Sequence, residues 1–284
     1  MITRFAPSPT GPLHLGHAYS AILAHDSART AGGRFLLRIE DIDRSRARPE
    51  WEAQIYDDLA WLGLSWEQPV MRQSDRLPVY RAALQSLWDR GLIFACQCSR
   101  RDILSAASAP NEGEPLMGPD GVIYPGTCRH RDCTSGAMPE GEALRLNMRM
   151  ALAGQDAIRF TETGAGPMGE TGEITLPLAA LIEGIGDVVL SRRDMGTSYH
   201  LSVVLDDAEQ GVTQVTRGQD LFEATAIHVV LQRHLGLPTP TYHHHRLIRD
   251  EAGKRLAKRD DARAIATYRA EGATPDDIRR MVGL

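Results

Sequence analysis

Lysine is nearly missing from this chain. Of 32 basic residues only two, Lys254 and Lys258, are lysines, and the other 30 are arginines. Long apolar runs are missing too. No stretch approaches the roughly 18 residues that a membrane-spanning helix requires, and the opening "MITRFAPSPT" has no apolar signal-peptide core. The expectation is a cytoplasmic protein with no membrane partner. An excess of basic charge is also absent. With a net charge of -5 and a pI near 6.1 there is no global electrostatic footprint for nucleic acid, so an RNA partner would need a local basic patch. Cysteine is scarce and confined: Cys96, Cys98, Cys128 and Cys133 all fall in one short stretch. In a cytosolic chain such clustering favours a metal over disulfides.

What is present is an ordinary globular composition. The 284 residues, 42% hydrophobic, are enough to bury a sizeable core as one large domain or two modest ones. "TRFAPS" reads as a short strand entering a Pro/Gly turn. "HLGHAYSAILAHDSARTAGG" reads as a helix, with Leu15, Ala18, Ile22 and Leu23 at helical spacing and Gly32-Gly33 as the stop. "RFLLRIEDID" reads as a buried strand ending in acids. The first 43 residues therefore predict a strand–helix–strand unit that opens a parallel α/β sheet. Helices follow near residues 48–62 and 76–90. From about residue 96 the texture becomes loop-rich, and 96–175 reads as an insertion in which "ALRLNM" and "DAIRF" are strands. The α/β pattern resumes through "GDVVLSRRD", "SYHLSVVLDDA" and "VTQVTRGQDL", and "ATAIHVVLQRHLG" is a helix closed by Gly236. The expected division is 1–95 for the first half of a Rossmann-like domain, 96–175 for the insertion and 176–284 for the second half.

The strongest chemical signal is "APSPTGPLHLGHAYS". A strand, a Pro/Gly turn and His-x-Gly-His at a helix start form a phosphate-handling arrangement, because a helix N-terminus offers unpaired N–H groups and the positive end of a dipole. Gly16 would let a nucleotide lie close to the backbone. His14 and His17, three apart, share one face of the first turn, from which they can donate to a phosphate as its charge develops. The lysine pair in "GKRLAKRD" fits the same chemistry. Lysine is a compact point charge and arginine a planar fork, so a chain that drifts toward arginine would spare lysine where an ammonium must reach phosphate oxygens.

These stretches together resemble the class I aminoacyl-tRNA synthetases, whose two signatures are His-Ile-Gly-His and Lys-Met-Ser-Lys-Ser. "RFAPSPTGPLHLGHAYSA", "RFLLRIEDIDRSR" and "SYHLSVVLDDAEQGVTQVTRGQDL" are similar to the glutamyl enzymes of that class, and the likeness runs nearly the whole chain. The second signature falls on "RLAKR", so Arg255 stands for its first lysine and Ala257 for its serine. Lys258 matches the ATP-contacting lysine, and Lys254 lies just outside. Glutamyl enzymes continue into a long anticodon-binding region, whereas this chain ends 26 residues after Lys258. That brevity resembles the short glutamyl paralogs, which activate glutamate without tRNA and attach it to queuosine, at the first anticodon position of tRNA(Asp).

The resemblance implies an ATP site at His14, Gly16, His17 and Lys258, with His14, His17 and Lys258 stabilising the departing pyrophosphate. It implies a glutamate site at Arg4, Phe5, Ala6, Pro7, Ser8, Glu40, Tyr199 and Arg217. Chemistry agrees: an acid suits the ammonium, and arginines suit carboxylates or else serve as structural ion-pair partners. Mg2+ would accompany ATP, and a monomer is expected. For the metal, Cys96, Cys98 and Cys128 give three thiolates, and structural zinc takes four ligands. On chemistry alone His130 or Cys133 would complete the set. The family pattern Cys-x-Cys then Tyr-x3-Cys matches "YPGTC" and implies Tyr124. Two other readings stay open: a compact synthetase that charges the tRNA 3′ end, and a catalytically silent RNA-binding paralog suggested by the altered "RLAKR".

Overall fold

The computed structural model describes residues 1–108, 115–130, 136–249 and 263–284. In chain order, β1 (Ile2–Phe5), α1 (Leu15–Thr30) and β2 (Arg34–Ile39) form the strand–helix–strand unit, with β1 and β2 parallel from Ile2↔Arg34 to Phe5↔Leu37. β2 stops at Ile39, so Glu40 and the acids after it leave the sheet at its carboxyl end. α1 ends where Gly32 takes φ +59°, a left-handed turn that L side chains rarely adopt. α2 (Pro49–Trp61) leads to β3 (Glu67–Arg72), which pairs in parallel with β2, and α3 (Leu77–Asp89) follows. Both helices carry proline in the first turn, where its missing N–H costs no hydrogen bond.

β4 (Ile93–Cys96) and α4 (Arg100–Ser108) precede the two-residue strands β5 (Met117–Gly118) and β6 (Gly121–Val122), a tight hairpin. β7 (Ala143–Leu146) then pairs antiparallel with β4, and α5 (Met148–Leu152) leads to β8 (Ala157–Glu162). β9 (Gly172–Pro177) pairs antiparallel with β8. After α6 (Leu178–Gly184), β10 (Val189–Ser191) adds to the other edge of β7. α7 (Tyr199–Glu209), β11 (Gln214–Gly218), α8 (Thr225–Leu235) and β12 (Thr241–His245) complete the second α/β half. β11 and β12 are parallel from Gln214↔Thr241 to Gly218↔His245, and α8 closes on Gly236 in the left-handed conformation, as the sequence predicts. α9 (Ile265–Ala270) and α10 (Pro275–Met281) end the chain.

Backbone contacts help to join the halves. Thr213 N–H donates to Ile2 O at 2.9 Å, and Ile2 N–H donates to the Thr213 hydroxyl at 2.8 Å, which sets the start of β11 beside β1. The carboxyl ends of β1, β2, β11 and β12 carry Phe5, Ile39, Arg217 and His244, so loops and side chains converge where ligands of open α/β sheets bind. The apolar core lies in two main clusters. One surrounds α1 and includes Ile265 and Ile278 of the last two helices and Val282 just after them; the other spans α3, β7, β8, α7 and α8.

Candidate active site

The signature turn is built by α1 itself. His14 is its N-cap, and Gly16 N–H donates to His14 Nδ1 at 3.1 Å. His14 N–H donates to His17 Nδ1 at 3.2 Å, which closes a reciprocal capping box. Each Nδ1 accepts, so each neutral ring carries its proton on Nε2, the donor a phosphate oxygen requires. The rings lie 3.8 Å apart, tilted by 31°. Gly16 has a role that spacing alone did not reveal: a Cβ there would stand 3.0 Å from His14 Cε1, so glycine leaves the capping ring room that a larger residue would crowd. Lys254, Arg255, Ala257 and Lys258 fall in 250–262, outside the described residues, as does Cys133. Just beyond that stretch the chain returns to the signature. Ala264 bridges to His14, and Ile265 N–H donates to Leu13 O at 2.8 Å.

The expected glutamate residues come together at the strand ends. Pro7 O accepts Glu40 N–H at 3.0 Å, which draws the segment Arg4, Phe5, Ala6, Pro7 and Ser8 against the start of the β2 loop. Phe5 and Pro7 are buried, Ala6 and Ser8 half-buried, and the Ser8 hydroxyl lies 3.4 Å from that of Thr10. The charges of Arg217, Glu40, Arg4 and Asp207 all act on the Tyr199 hydroxyl, although burial is the largest reason its pKa rises.

The two arginines differ in their partners. Arg4 is paired within the protein: its Nε lies 3.0 Å from Asp207 Oδ1 and its Nη2 lies 3.4 Å from Oδ2. Asp207 Oδ1 also takes Arg38 Nη1 at 2.6 Å, and Arg38 Nη2 reaches Glu40 Oε1 at 3.1 Å. Burial raises the Glu40 carboxyl above its ordinary range despite the opposing pull of Arg38 and Arg4, so an arriving ammonium would favour its ionised form.

Arg217, 5% exposed, meets only neutral acceptors among the described residues. Nε donates to His244 Nε2 at 3.1 Å. Nη1 reaches His228 Nδ1 at 3.0 Å and the Tyr199 hydroxyl at 3.5 Å. Nη2 donates to Leu221 O at 3.1 Å and the Thr225 hydroxyl at 2.7 Å. Burial holds His228 well below its ordinary pKa and also lowers His244, so neither ring adds a charge. The Glu162 carboxylate stands one ring away, 2.5 Å from His244 Nδ1. A buried guanidinium oriented by neutral acceptors keeps its positive charge for a ligand carboxylate.

Arg38, Asp207, His228 and His244 are the residues that the sequence reading missed. A signal existed: Arg38 interrupts the apolar "RFLLRI" and Asp207 the apolar "LSVVLDDA", and buried charges demand partners.

The cysteine stretch also converges. Ligand atoms of Cys96, Cys98 and Cys128 lie within 4.8 Å of one another, and His130 is not in the group. Cys98 Sγ is 3.6 Å from Cys128 Sγ. The Tyr124 hydroxyl is 3.4 Å from Cys96 Sγ and 3.6 Å from Cys98 Sγ, and it accepts Cys128 N–H at 2.8 Å. Burial works against the Cys128 thiolate, but hydrogen bonds from Tyr124, the Gln97 backbone and the neighbouring thiols outweigh it and bring the thiol down to about 7. Three sulfurs at this spacing fit a tetrahedral metal, for which a Zn–S length of about 2.3 Å implies sulfurs roughly 3.8 Å apart. The cluster can hold a metal ion, and no helix among the described residues is long and apolar enough to cross a membrane.

Comparison with known proteins identifies the family. The family described as tRNA synthetases class I (E and Q), catalytic domain, matches residues 1–284. The chain is 67% identical to a glutamyl-Q tRNA(Asp) synthetase of Rhodobacter capsulatus over the full length of both. It is 42% identical to the enzyme of that name from Symbiobacterium thermophilum, over 97% of this chain and 83% of the relative. A glutamate tRNA ligase from Elizabethkingia meningosepticum, solved with its amino acid, superposes with a TM-score of 0.77 at 27% identity; the match covers all of this chain and 60% of that one. A methionyl-tRNA synthetase of Mycobacterium tuberculosis, 13% identical with a TM-score of 0.58, shares the fold alone. The chain therefore belongs to the class I tRNA synthetases of the E and Q type, and its full-length identity sets it among the glutamyl-Q tRNA(Asp) synthetases.

Proposed function

We propose that this protein activates glutamate with ATP in the absence of tRNA and transfers it to queuosine at the first anticodon position of tRNA(Asp). In the first step a glutamate carboxylate oxygen attacks the α-phosphorus of ATP, forming glutamyl-adenylate as pyrophosphate leaves. In the second, a hydroxyl of the queuosine cyclopentene ring attacks the acyl carbon and AMP leaves. The adenylate is already activated, so no protein nucleophile is invoked.

The observation that carries the reading is Arg217, a buried guanidinium at a strand end whose hydrogen-bond partners among the described residues are all uncharged. It would receive a substrate carboxylate, with Tyr199 beside it and Glu40 placed for the ammonium. Arg4 would act on the site through its pairing with Asp207. His14, Gly16 and His17 would meet the triphosphate together with Lys258 and Mg2+. Zinc would be held by Cys96, Cys98, Cys128 and Tyr124 in a structural role, within an inserted subdomain spanning about residues 96–175 between the catalytic segments 1–95 and 176–284.

The test is acid-gel analysis of tRNA(Asp), with and without queuosine, after incubation with glutamate and ATP. A shifted band only with queuosine is expected. Glutamylation of both tRNAs at the 3′ end would replace this reading with a compact glutamyl-tRNA synthetase. Absence of glutamate-dependent pyrophosphate exchange would leave a silent RNA-binding paralog.

A further inference from the structure

Arg217 is linked to the surface by a chain of side chains that the proposed reaction does not use. Its Nη1 contacts His228 Nδ1 at 3.0 Å; His228 Nε2 lies 3.2 Å from His200 Nδ1; and His200 Nε2 lies 3.4 Å from Asp120 Oδ1. The two imidazoles are buried, and Asp120 is 44% exposed.

The direction of the chain is fixed at one end. Arginine has no acceptor and keeps its protons, so His228 Nδ1 must accept. A neutral His228 then carries its proton on Nε2 and donates to His200 Nδ1. His200 in turn carries its proton on Nε2, facing the Asp120 carboxylate. Desolvation, reinforced by the Arg217 charge, keeps His228 neutral. The second brace on the guanidinium has the same form: Glu162 orients His244, and His244 accepts from Arg217. Carboxylates that orient imidazoles in this way set the ring tautomer and so the geometry of what the ring holds.

Asp120 is well placed for such a role. It sits in the turn between β5 and β6, where Met117↔Val122 and Gly118↔Gly121 pair and Gly121 takes φ +101°. The hairpin is pressed onto the end of α6, since a Cβ at Gly118 would stand 2.6 Å from Gly184 O. A carboxylate on a loop of the cysteine-bearing segment is thereby delivered to the first turn of α7, which holds Tyr199 and His200.

We propose that Asp120 is a positioning residue for amino-acid binding: through His200 and His228 it fixes the orientation in which Arg217 meets the substrate carboxylate. The inference rests on the reading of Arg217 as the carboxylate-binding residue. It gives the inserted segment a part in substrate specificity in addition to any metal.

The test is glutamate-dependent pyrophosphate exchange by the full chain and its Asp120→Ala and Asp120→Asn variants. Loss of one link in the chain should raise the glutamate KM of Asp120→Ala roughly three- to tenfold, with kcat and the ATP KM little changed. Asp120→Asn, whose amide oxygen can occupy the place of the carboxylate oxygen 3.4 Å from His200 Nε2, should stay close to the parent. An unchanged glutamate KM in Asp120→Ala, an equal rise in the ATP KM, or equal losses in both variants would overturn the proposal. Imidazole 15N spectra supply a readout that a merely structural role would not move: His200 and His228 should both carry the proton on Nε2, and Asp120→Ala should mix the His200 tautomers. Any other tautomer in the parent protein overturns the relay. A parent with the expected tautomers but no glutamate-dependent exchange would overturn the functional reading, and with it the link to glutamate.

Discussion

Arg4 and Asp207, 203 residues apart, form a two-pronged ion pair at 3.0 and 3.4 Å, with side chains only 5% and 7% exposed. The pair ties β1 to α7 at the floor of the site, and Arg38 shares the same carboxylate. Asp207→Asn would leave two buried guanidinium groups undercompensated. Removing one partner from a buried ion pair costs about 3–5 kcal/mol, and urea unfolding should show a loss of that order. A loss no larger than that of an exposed pair would show that Arg38 and Arg4 find other partners.

Arg217 leads to a different expectation. Arg217→Lys keeps the charge but cannot reproduce the fork that reaches His244, His228 and Thr225 together. Charge-assisted hydrogen bonds of about 1.5–3 kcal/mol are at stake, so the glutamate KM in pyrophosphate exchange should rise roughly 10- to 100-fold. An unchanged KM would remove Arg217 from the substrate site.

Lys258 lies outside the described residues, and its place in the signature is a feature of the sequence. Lys258→Ala should slow adenylation roughly 100- to 1,000-fold, or about 3–4 kcal/mol, while glutamate binding changes far less, because charge on the triphosphate shifts most as pyrophosphate departs. Lys254→Ala should cost clearly less. Full activity in Lys258→Arg would show that the scarcity of lysine elsewhere carries no message about this stretch.

The cysteine cluster predicts about one zinc per chain purified without chelator. Tyr124→Phe removes the hydroxyl that lies within 3.6 Å of Cys98 Sγ and 3.4 Å of Cys96 Sγ. Competition against a chelator should show zinc affinity reduced by at least the roughly 10- to 100-fold that loss of an outer-shell partner produces. Unchanged affinity would give the fourth position to another donor, while a metal-free, well-folded chain would defeat the site altogether.

Asp58, on α2, is fully buried, and neither of its carboxylate oxygens has a hydrogen-bond partner among the described residues. Burial, with a smaller push from Asp57, raises its pKa to about 6. An acid with a raised folded-state pKa binds its proton more tightly when folded, so stability falls as pH rises from about 4 to 6 and the full penalty, up to about 3 kcal/mol, stands above that range. Asp58→Asn should therefore stabilise the protein at pH 7.5, with the gain fading toward pH 4. Thermal unfolding across that range checks it, and a pH-independent difference would refute the assignment.

Local patterns in the sequence determined the strand–helix–strand opening, α2 and α3, the closure of α8 on Gly236 and the presence of a His-x-Gly-His cap, because capping, periodicity and turn chemistry act within a few residues. The cysteine spacing likewise announced a cluster, since the ligands lie close along the chain. Only the tertiary structure decided which arginine is ion-paired within the protein and which meets neutral partners. Arg4 and Arg217 look alike as residues near strand ends; the difference lies in Asp207, His228 and His244, which reach them from other elements. The same holds for Asp120, an unremarkable turn residue in sequence that the docked hairpin brings to His200, 80 residues further along the chain. Long-range pairing of this kind leaves no periodicity to read, because its partners are chosen by the packing of whole elements rather than by neighbours along the chain.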